Sequence, residues 1–100
     1  AMWLMLQQEI PDDYVVSTGE THSVEELLEE VWACADLGDL KRHLKINEKY
    51  FRPQEVPYLL GNNSKAKRVL GWQPKYNFTA LAEDMYTQDF NTMVSLKGWK

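Results

Sequence analysis

The spacing of apolar residues predicts a helix that begins after Ser23. Ser23 can accept a hydrogen bond from the backbone N–H of Glu26, and the Glu26 side chain can reach back to Ser23, as in a capping box. The apolar residues that follow recur at the 3.6-residue spacing of one helix face. They are Leu27, Leu28, Val31, Trp32 and Ala35. This helix is expected to break around Gly38.

Local signals predict the remaining elements. Residues 1–9 are apolar and helix-forming up to the break at Pro11, and residues 14–18 form a β-branched run typical of a short buried strand. Residues 40–46 suggest a helical turn and then a short strand, and residues 62–64 can cap a helix that Gly71 ends. A last helix is expected after Asn77, with a pattern that decays beyond about Phe90. Its predicted buried stripe is Phe78, Leu81, Ala82, Met85 and Tyr86.

Composition and charge narrow the class of protein. With 44% hydrophobic and 26% charged residues, the 100 residues predict one domain at most. The net charge of −4 argues against nucleic-acid binding, and the one basic cluster, Lys65, Lys67 and Arg68, predicts a solvated helix face. The single cysteine, Cys34, favours a reducing cytoplasm. The apolar run at residues 2–6 is far shorter than the roughly 18 residues of a membrane span, so no membrane partner is expected.

The segment Y-F-R-P-Q-E-V at 50–56 carries the chemistry most typical of a ligand site. Pro53 fixes its own φ and disfavours a helical conformation at Arg52, which places Arg52 and Glu55 on a stiff elbow. A guanidinium suits a phosphate or a carboxylate, and a carboxylate suits sugar hydroxyls. The alternative is a surface salt bridge on a loop, and the residues alone leave both interpretations open.

Other common site motifs do not occur in the sequence. There is no C-x-x-C, no H-x-x-x-H and no carboxylate–histidine cluster, so no metal site is predicted. Neither G-x-x-x-x-G-K-S/T nor G-x-G-x-x-G occurs, so no phosphate cradle is predicted. His22 is expected to hydrogen-bond the turn before its helix, with a general base or phosphate donor as the alternative.

Four stretches occur in a recognisable order. They are A-M-W-L-M-L at 1–6, D-Y-V-V-S-T-G-E-T-H-S-V at 13–24, Y-F-R-P-Q-E-V at 50–56 and L-L-G-N-N-S-K-A-K-R-V-L-G-W-Q-P-K at 59–75. Together they resemble the C-terminal part of the GDP-mannose 4,6-dehydratase family, in the extended short-chain dehydrogenase/reductase superfamily, over roughly residues 1–90. The most specific pieces are T-G-E-T-H-S and Y-F-R-P-x-E-V, whereas L-G-W-x-P recurs across the superfamily.

The resemblance implies an α/β fold. It implies the C-terminal substrate-binding lobe of an extended short-chain dehydrogenase/reductase, mostly helical with short strands, with the Rossmann domain absent from this chain. Residues 1–90 would form this nucleotide-sugar-binding lobe and residues 91–100 a tail. The family's glycine-rich cofactor loop, Tyr-x-x-x-Lys pair and Thr/Glu acid–base residues lie upstream of the matching region. No catalytic or cofactor-binding residue is therefore expected here, and the isolated chain is expected to be inactive.

The resemblance also implies an activity, an NADP-dependent lyase that converts GDP-mannose to GDP-4-dehydro-6-deoxy-mannose, the precursor of GDP-fucose. Arg52 matches the family arginine that contacts the nucleotide diphosphate. Glu55 matches the acidic residue that accepts hydrogen bonds from hydroxyls of the bound nucleotide-sugar. The intact enzyme is expected to be a cytoplasmic homodimer or homotetramer.

Two alternatives stay open. One is a sibling GDP-sugar reductase or epimerase of the same superfamily, and the other is a non-catalytic binding or scaffold module.

Between Asp36 and Lys45 the chain is also expected to be shorter than many relatives.

Overall fold

Helical segments joined by irregular chain make up the computed structural model, which describes residues 1–98. The α-helices are α1 at Met2–Met5, α2 at Val24–Ala35 and α3 at Phe78–Lys97. Two 3₁₀ turns lie at Leu40–Arg42 and Glu48–Tyr50, and a π-helix lies at Ala66–Leu70. No helix among these described residues combines the length and the apolar character needed to cross a bilayer.

The chain divides into two compact units, each built from two separate stretches. One unit contains Ala1–Thr21 and Val56–Asn77, and therefore α1 and the π-helix. The other contains His22–Glu55 and the chain from Phe78 onwards, and therefore α2, both 3₁₀ turns and α3. Each unit thus brings together residues that are far apart in sequence.

The predicted strands are wrong. Residues 14–18 belong to no sheet, and Val15 and Val16 are 54% and 45% exposed rather than buried. A strand forms when its backbone groups pair with a neighbouring strand, but the Ser17 carbonyl accepts a hydrogen bond from the Asn63 side chain instead. Residues 43–46 also follow the first 3₁₀ turn without forming a strand. Within residues 1–98 the fold is therefore helical, not α/β with short strands.

The predicted start and end of α2 are confirmed. The Ser23 hydroxyl accepts from the backbone N–H of Glu26 at 3.1 Å. The Glu26 carboxylate contacts His22, with 2.7 Å between Oε2 and Nδ1, so the second half of the expected capping box takes a different form. The helix ends at Asp36, whose φ of 51° is left-handed. Beyond it, the Trp32 indole N–H donates to the Gly38 carbonyl at 3.0 Å and ties the loop back to the helix.

The buried face of α3 is narrower than predicted. Ala82 is fully buried and Phe78 and Tyr86 are half-buried, but Leu81 and Met85 are 44% and 46% exposed. Helix α3 packs on α2 in the same unit, and the small side chain of Ala82 allows a close approach. Because neighbouring residues on a helix differ by about 100°, a face centred on Ala82 turns Leu81 towards solvent.

The predicted boundary between lobe and tail, at residue 90, falls inside α3. The helix continues to Lys97. The last two residues of the predicted tail, at positions 99 and 100, lie outside the described residues.

Candidate functional site

The predicted elbow lies directly after the second 3₁₀ turn. Asn47 caps that turn, because its Oδ1 accepts from the backbone N–H of Lys49 at 3.0 Å. The chain leaves the turn at Phe51 with φ −68° and ψ 135°, an extended conformation. Pro53 disfavours a helical conformation at Arg52, so the helical turn cannot continue into the elbow.

Arg52 and Glu55 lie close together on this elbow but interact loosely. Arg52 Nε and Glu55 Oε2 are 3.9 Å apart, and the two side chains are 76% and 65% exposed. Charge-assisted hydrogen bonds between such groups are about 2.7–2.9 Å long, so this contact is an ion pair without a hydrogen bond. Both groups therefore keep most of their hydrogen-bonding capacity for a ligand.

Exposed aromatic and aliphatic side chains flank the elbow in the sequence. Tyr50 and Phe51 precede it, and Val56 and Tyr58 follow it. A guanidinium can hold a phosphate with two parallel hydrogen bonds, a carboxylate can accept from hydroxyls, and an aromatic face can stack on a planar ring. The segment therefore carries the groups that a nucleotide-sugar requires.

A second cluster joins the start of the chain to the region before the π-helix. Lys65 Nζ donates to Asp12 Oδ2 at 2.7 Å and to the Asp13 carbonyl at 2.9 Å, and it lies 4.8 Å from the centre of the Tyr14 ring. The hydrogen bond from Lys65 lowers the pKa of Asp12 below its ordinary value of 3.8, and the Asp13 backbone and the Lys65 charge act in the same direction. Lys65 is therefore a tie between two segments rather than part of a solvated face.

Asn63 makes a second tie between the same segments. Its Nδ2 donates to the Ser17 carbonyl at 2.7 Å, and the residue is only 6% exposed. The backbone at Gly61 approaches Ser17 so closely that a Cβ on Gly61 would lie 2.5 Å from Ser17 Oγ. We call the contacts of Gly61, Asn63 and Lys65 with residues 12–19 the clasp.

The clasp was not predicted from the sequence. Residues 62–64 were predicted as helix caps, but the N-cap of the π-helix is Lys65 and it makes no side-chain cap hydrogen bond. Asn62 Oδ1 accepts from the backbone N–H of Ser64 at 3.0 Å. Asn63 instead bonds a residue 46 positions away, and Lys65 bonds one 53 positions away. The acidic pair at Asp12 was the available signal, but no spacing rule pairs residues so far apart in the chain.

The histidines and the cysteine give no further centre. His22 contacts the Glu26 carboxylate and stacks on Phe78, with 3.8 Å between the ring centroids. Its hydrogen bond to the turn stays a prediction. His43 is exposed, as predicted, and lies 5.2 Å from the Trp32 ring. In the part of the chain that the structure describes, no three His, Cys, Asp or Glu side chains converge as metal ligands.

Comparison with known proteins identifies the family. The family profile for GDP-mannose 4,6 dehydratase matches residues 1–85, which include both the elbow and the clasp. GDP-mannose 4,6 dehydratase 1 of Arabidopsis thaliana is 52% identical over 89 residues, covering 89% of this chain and 24% of the relative. The Dictyostelium discoideum GDP-mannose 4,6 dehydratase is 45% identical over 105 residues, covering 89% of this chain and 30% of the relative. The Homo sapiens GDP-mannose 4,6 dehydratase is 39% identical over 111 residues, covering 93% of this chain and 29% of the relative.

The chain spans between about a quarter and three tenths of the length of these relatives. The slime-mould and human alignments contain more positions than this chain supplies, so these relatives have residues that this chain lacks. The plant alignment has no such excess. A family match over 85 of 100 residues and identities of 39–52% place the chain in a family without ambiguity. The chain belongs to the GDP-mannose 4,6 dehydratase family.

Proposed function

We propose that this chain is the nucleotide-sugar-binding lobe of an NADP-dependent GDP-mannose 4,6-dehydratase. The reaction is that of a carbon–oxygen lyase, which converts GDP-mannose to GDP-4-dehydro-6-deoxy-mannose on the route to GDP-fucose. The observation that carries the proposal is the family match over residues 1–85, which includes the elbow with its exposed Arg52 and Glu55. The relatives described above have the dehydratase name, which favours this activity over a sibling reductase or epimerase.

Arg52 and Glu55 have separate roles in this proposal. Arg52 binds the diphosphate, because its guanidinium is exposed and makes no hydrogen bond to Glu55 that a ligand would have to displace. Glu55 accepts hydrogen bonds from hydroxyls of the nucleotide-sugar. The 3.9 Å separation lets one ligand touch both groups, since a diphosphate and the attached sugar are adjacent parts of the same molecule.

NADP does not fit the residues described here. A dinucleotide cradle consists of a strand, a glycine-rich turn and a helix, and residues 1–98 contain no strand. We therefore assign no residue of this chain to the cofactor. In the proposal NADP belongs to a Rossmann domain of the extended short-chain dehydrogenase/reductase type, elsewhere in the intact enzyme.

Exposed apolar side chains support a lobe that packs against other polypeptide. Ile46, Leu59 and Leu6 are 80%, 72% and 81% exposed, and such side chains are usually covered in a functional assembly.

We further propose that the intact enzyme is a homodimer or homotetramer in the cytoplasm. A single cysteine without a disulfide fits a reducing compartment.

A turnover assay tests the proposed function. The full-length protein, incubated with GDP-mannose and NADP, is expected to form a 4-keto sugar nucleotide that mass spectrometry detects as a loss of water. The isolated 100 residues are expected to form none, because proton-transfer groups and the hydride carrier must both be held at the substrate.

GDP-glucose serves as the control substrate in the same assay. Product from full-length protein with GDP-mannose and not with GDP-glucose supports the proposal. No product from the full-length protein, or product that depends on the isolated chain alone, contradicts it.

A further inference from the structure

We propose that the second half of α3, residues 86–97, binds the same segment of a second copy of this chain as an antiparallel helix pair. The pair is one interface of the oligomer proposed above, on which this inference rests. It does not depend on the dehydratase activity. The segment lies beyond residues 1–85, which match the family profile, so the family match gives it no role.

Helix α2 covers the first half of α3 and leaves the second half exposed. The Thr79 hydroxyl donates to Glu30 of α2 at 3.4 Å, and Ala82 is fully buried. With 12 residues in α2 and 20 in α3, the two helices are about 18 Å and about 30 Å long, so α2 is too short to cover all of α3. The apolar side chains further along α3 are 50%, 42% and 76% exposed. They are Phe90, Met93 and Leu96.

These three side chains lie on one side of the helix. Successive helical residues are rotated by about 100°, so Phe90, Met93 and Leu96 fall within an arc of about 120°. Ala82 lies in the same arc, so the face that packs on α2 continues along the second half without cover. The rings of Tyr86 and Phe90 stack there, with 5.7 Å between their centroids. A continuous apolar helix face of this kind suits packing against another helix.

The charges of the segment favour a second copy as the partner. Its charged residues are Asp89 and Lys97, and both are exposed and lie within the same arc. Asp89 is four residues before Met93 and Lys97 is four residues after it. In an antiparallel pair that crosses at Met93, Asp89 of each copy therefore lies opposite Lys97 of the partner subunit, and Phe90 lies opposite Leu96 of the partner subunit.

This pairing is self-complementary, as a two-fold symmetric interface requires. Both copies contribute the same patch, and the opposite charges meet at both ends of an uncharged apolar centre. A parallel pair would instead place the two Asp89 carboxylates together and the two Lys97 ammonium groups together. Like charges in contact disfavour that alternative.

Disulfide trapping in the full-length protein tests the surface. Met93→Cys places a thiol at the two-fold axis, opposite the same position of the second copy. Under mild oxidation we expect a covalent dimer on a non-reducing gel. Phe90→Cys combined with Leu96→Cys is expected to give the same product, which keeps the test available should Met93→Cys fail to fold.

Ser95→Cys is the matched control. Ser95 is exposed and lies two positions from Met93, on the opposite side of the helix, and both variants keep the same other cysteines. We expect Ser95→Cys to form no covalent dimer above the wild-type background. Equal yields from Ser95→Cys and Met93→Cys would show random collision and would overturn the inference.

Charge exchange in the Met93→Cys background tests the direction of the pair. Asp89→Lys places like charges together in the antiparallel pair, so we expect the covalent dimer to be lost at low ionic strength, where charges are least screened. Adding Lys97→Asp restores opposite charges and is expected to restore the dimer. An unchanged yield in Asp89→Lys, or a loss that Lys97→Asp does not reverse, contradicts the antiparallel pair.

Sedimentation velocity of the wild type separates the two proposals. An oligomeric wild type whose Met93→Cys variant gives no covalent dimer overturns this inference alone and shows that the interface lies elsewhere. A monomeric wild type overturns the proposed oligomer and this inference with it. Turnover of GDP-mannose is measured separately and decides neither result.

Discussion

At the scale of single residues, two exposed arginine–carboxylate pairs have similar N–O distances. Arg52 and Glu55 are 3.9 Å apart, and Arg42 and Asp39 are 3.8 Å apart, both with a separation of three residues. Exposed pairs of this kind contribute little to stability. The sequence predicted that Arg52 and Glu55 lie close, because Pro53 restricts the chain locally, yet distance does not separate a site from an ordinary surface pair. Sequence context and ligand binding distinguish a ligand site from a surface ion pair.

Lys65 and Asp12 form the residue-scale contact whose effect depends on pH. The pKa of Asp12 is lowered in the folded chain, chiefly by its hydrogen bond from Lys65, relative to its ordinary value of 3.8. This pair therefore stabilises the fold at pH values above 3.8, and its contribution is lost as the pH falls through the lowered pKa. We expect Lys65→Met to make the loss of thermal stability between about pH 5 and pH 2 shallower than in the wild type.

Lys67→Met is the control for this experiment, because Lys67 is an exposed lysine in the π-helix that follows Lys65. It is expected to follow the wild-type pH profile. Melting curves recorded by circular dichroism at each pH give the comparison. Equal slopes for wild type and Lys65→Met would show that the Lys65–Asp12 contact does not contribute to folding stability.

At the scale of elements, local chemistry was predictable and long-range pairing was not. The Ser23 cap, the end of α2 and the stop at Gly71, whose φ is 64°, all follow from rules that act within a few residues. The strand predicted at residues 14–18 does not form, because a strand needs a neighbouring strand to pair with. Apolar β-branched residues do not specify that neighbour. The predicted stripe on α3 was wrong at Leu81 and Met85, because its apolar positions are too many to fix which side meets α2.

Substitutions on α3 test where its contact face lies. Ala82 is fully buried, so Ala82→Leu is expected to lower the free energy of unfolding of the chain by about 1–3 kcal/mol through overpacking. Leu81 is 44% exposed, so Leu81→Ala is expected to change it by only roughly 0.5 kcal/mol. Urea denaturation of both variants provides the values. A larger loss for Leu81→Ala than for Ala82→Leu would place the face where the sequence pattern put it.

At the scale of the whole molecule, the chain buries little of its own surface. Its accessible surface is 9107 Å², whereas a folded monomer of 11.7 kDa is expected to expose about 5,900 Å². The fully buried side chains are few, and large apolar residues such as Trp3, Phe51 and Leu59 are more than half exposed among the described residues. Composition could not reveal this, because the same apolar residues build a core or an interface. The excess surface accords with the proposal that this lobe works as part of a longer enzyme.

The proposed function depends on the elbow. In full-length protein, Arg52→Ala is expected to weaken the binding of both GDP and GDP-mannose. The loss of a hydrogen bond to a charged group amounts to about 1.5–3 kcal/mol, or roughly one to two decades in Kd. Arg52→Lys is expected to weaken both as well, since lysine lacks the planar fork. Glu55→Gln is expected to weaken the binding of GDP-mannose more than that of GDP. NADP binding is expected to be unchanged in all three variants.

Calorimetric titration of GDP-mannose into wild type, Arg52→Ala and Arg42→Ala is the most direct measurement. Arg42 is 82% exposed and has the same kind of carboxylate neighbour, so Arg42→Ala controls for the loss of a surface charge. We expect a Kd raised about ten- to one-hundredfold for Arg52→Ala and a wild-type Kd for Arg42→Ala. A wild-type Kd for Arg52→Ala, or equal losses for both variants, would contradict it and leave Arg52–Glu55 as an ordinary surface salt bridge.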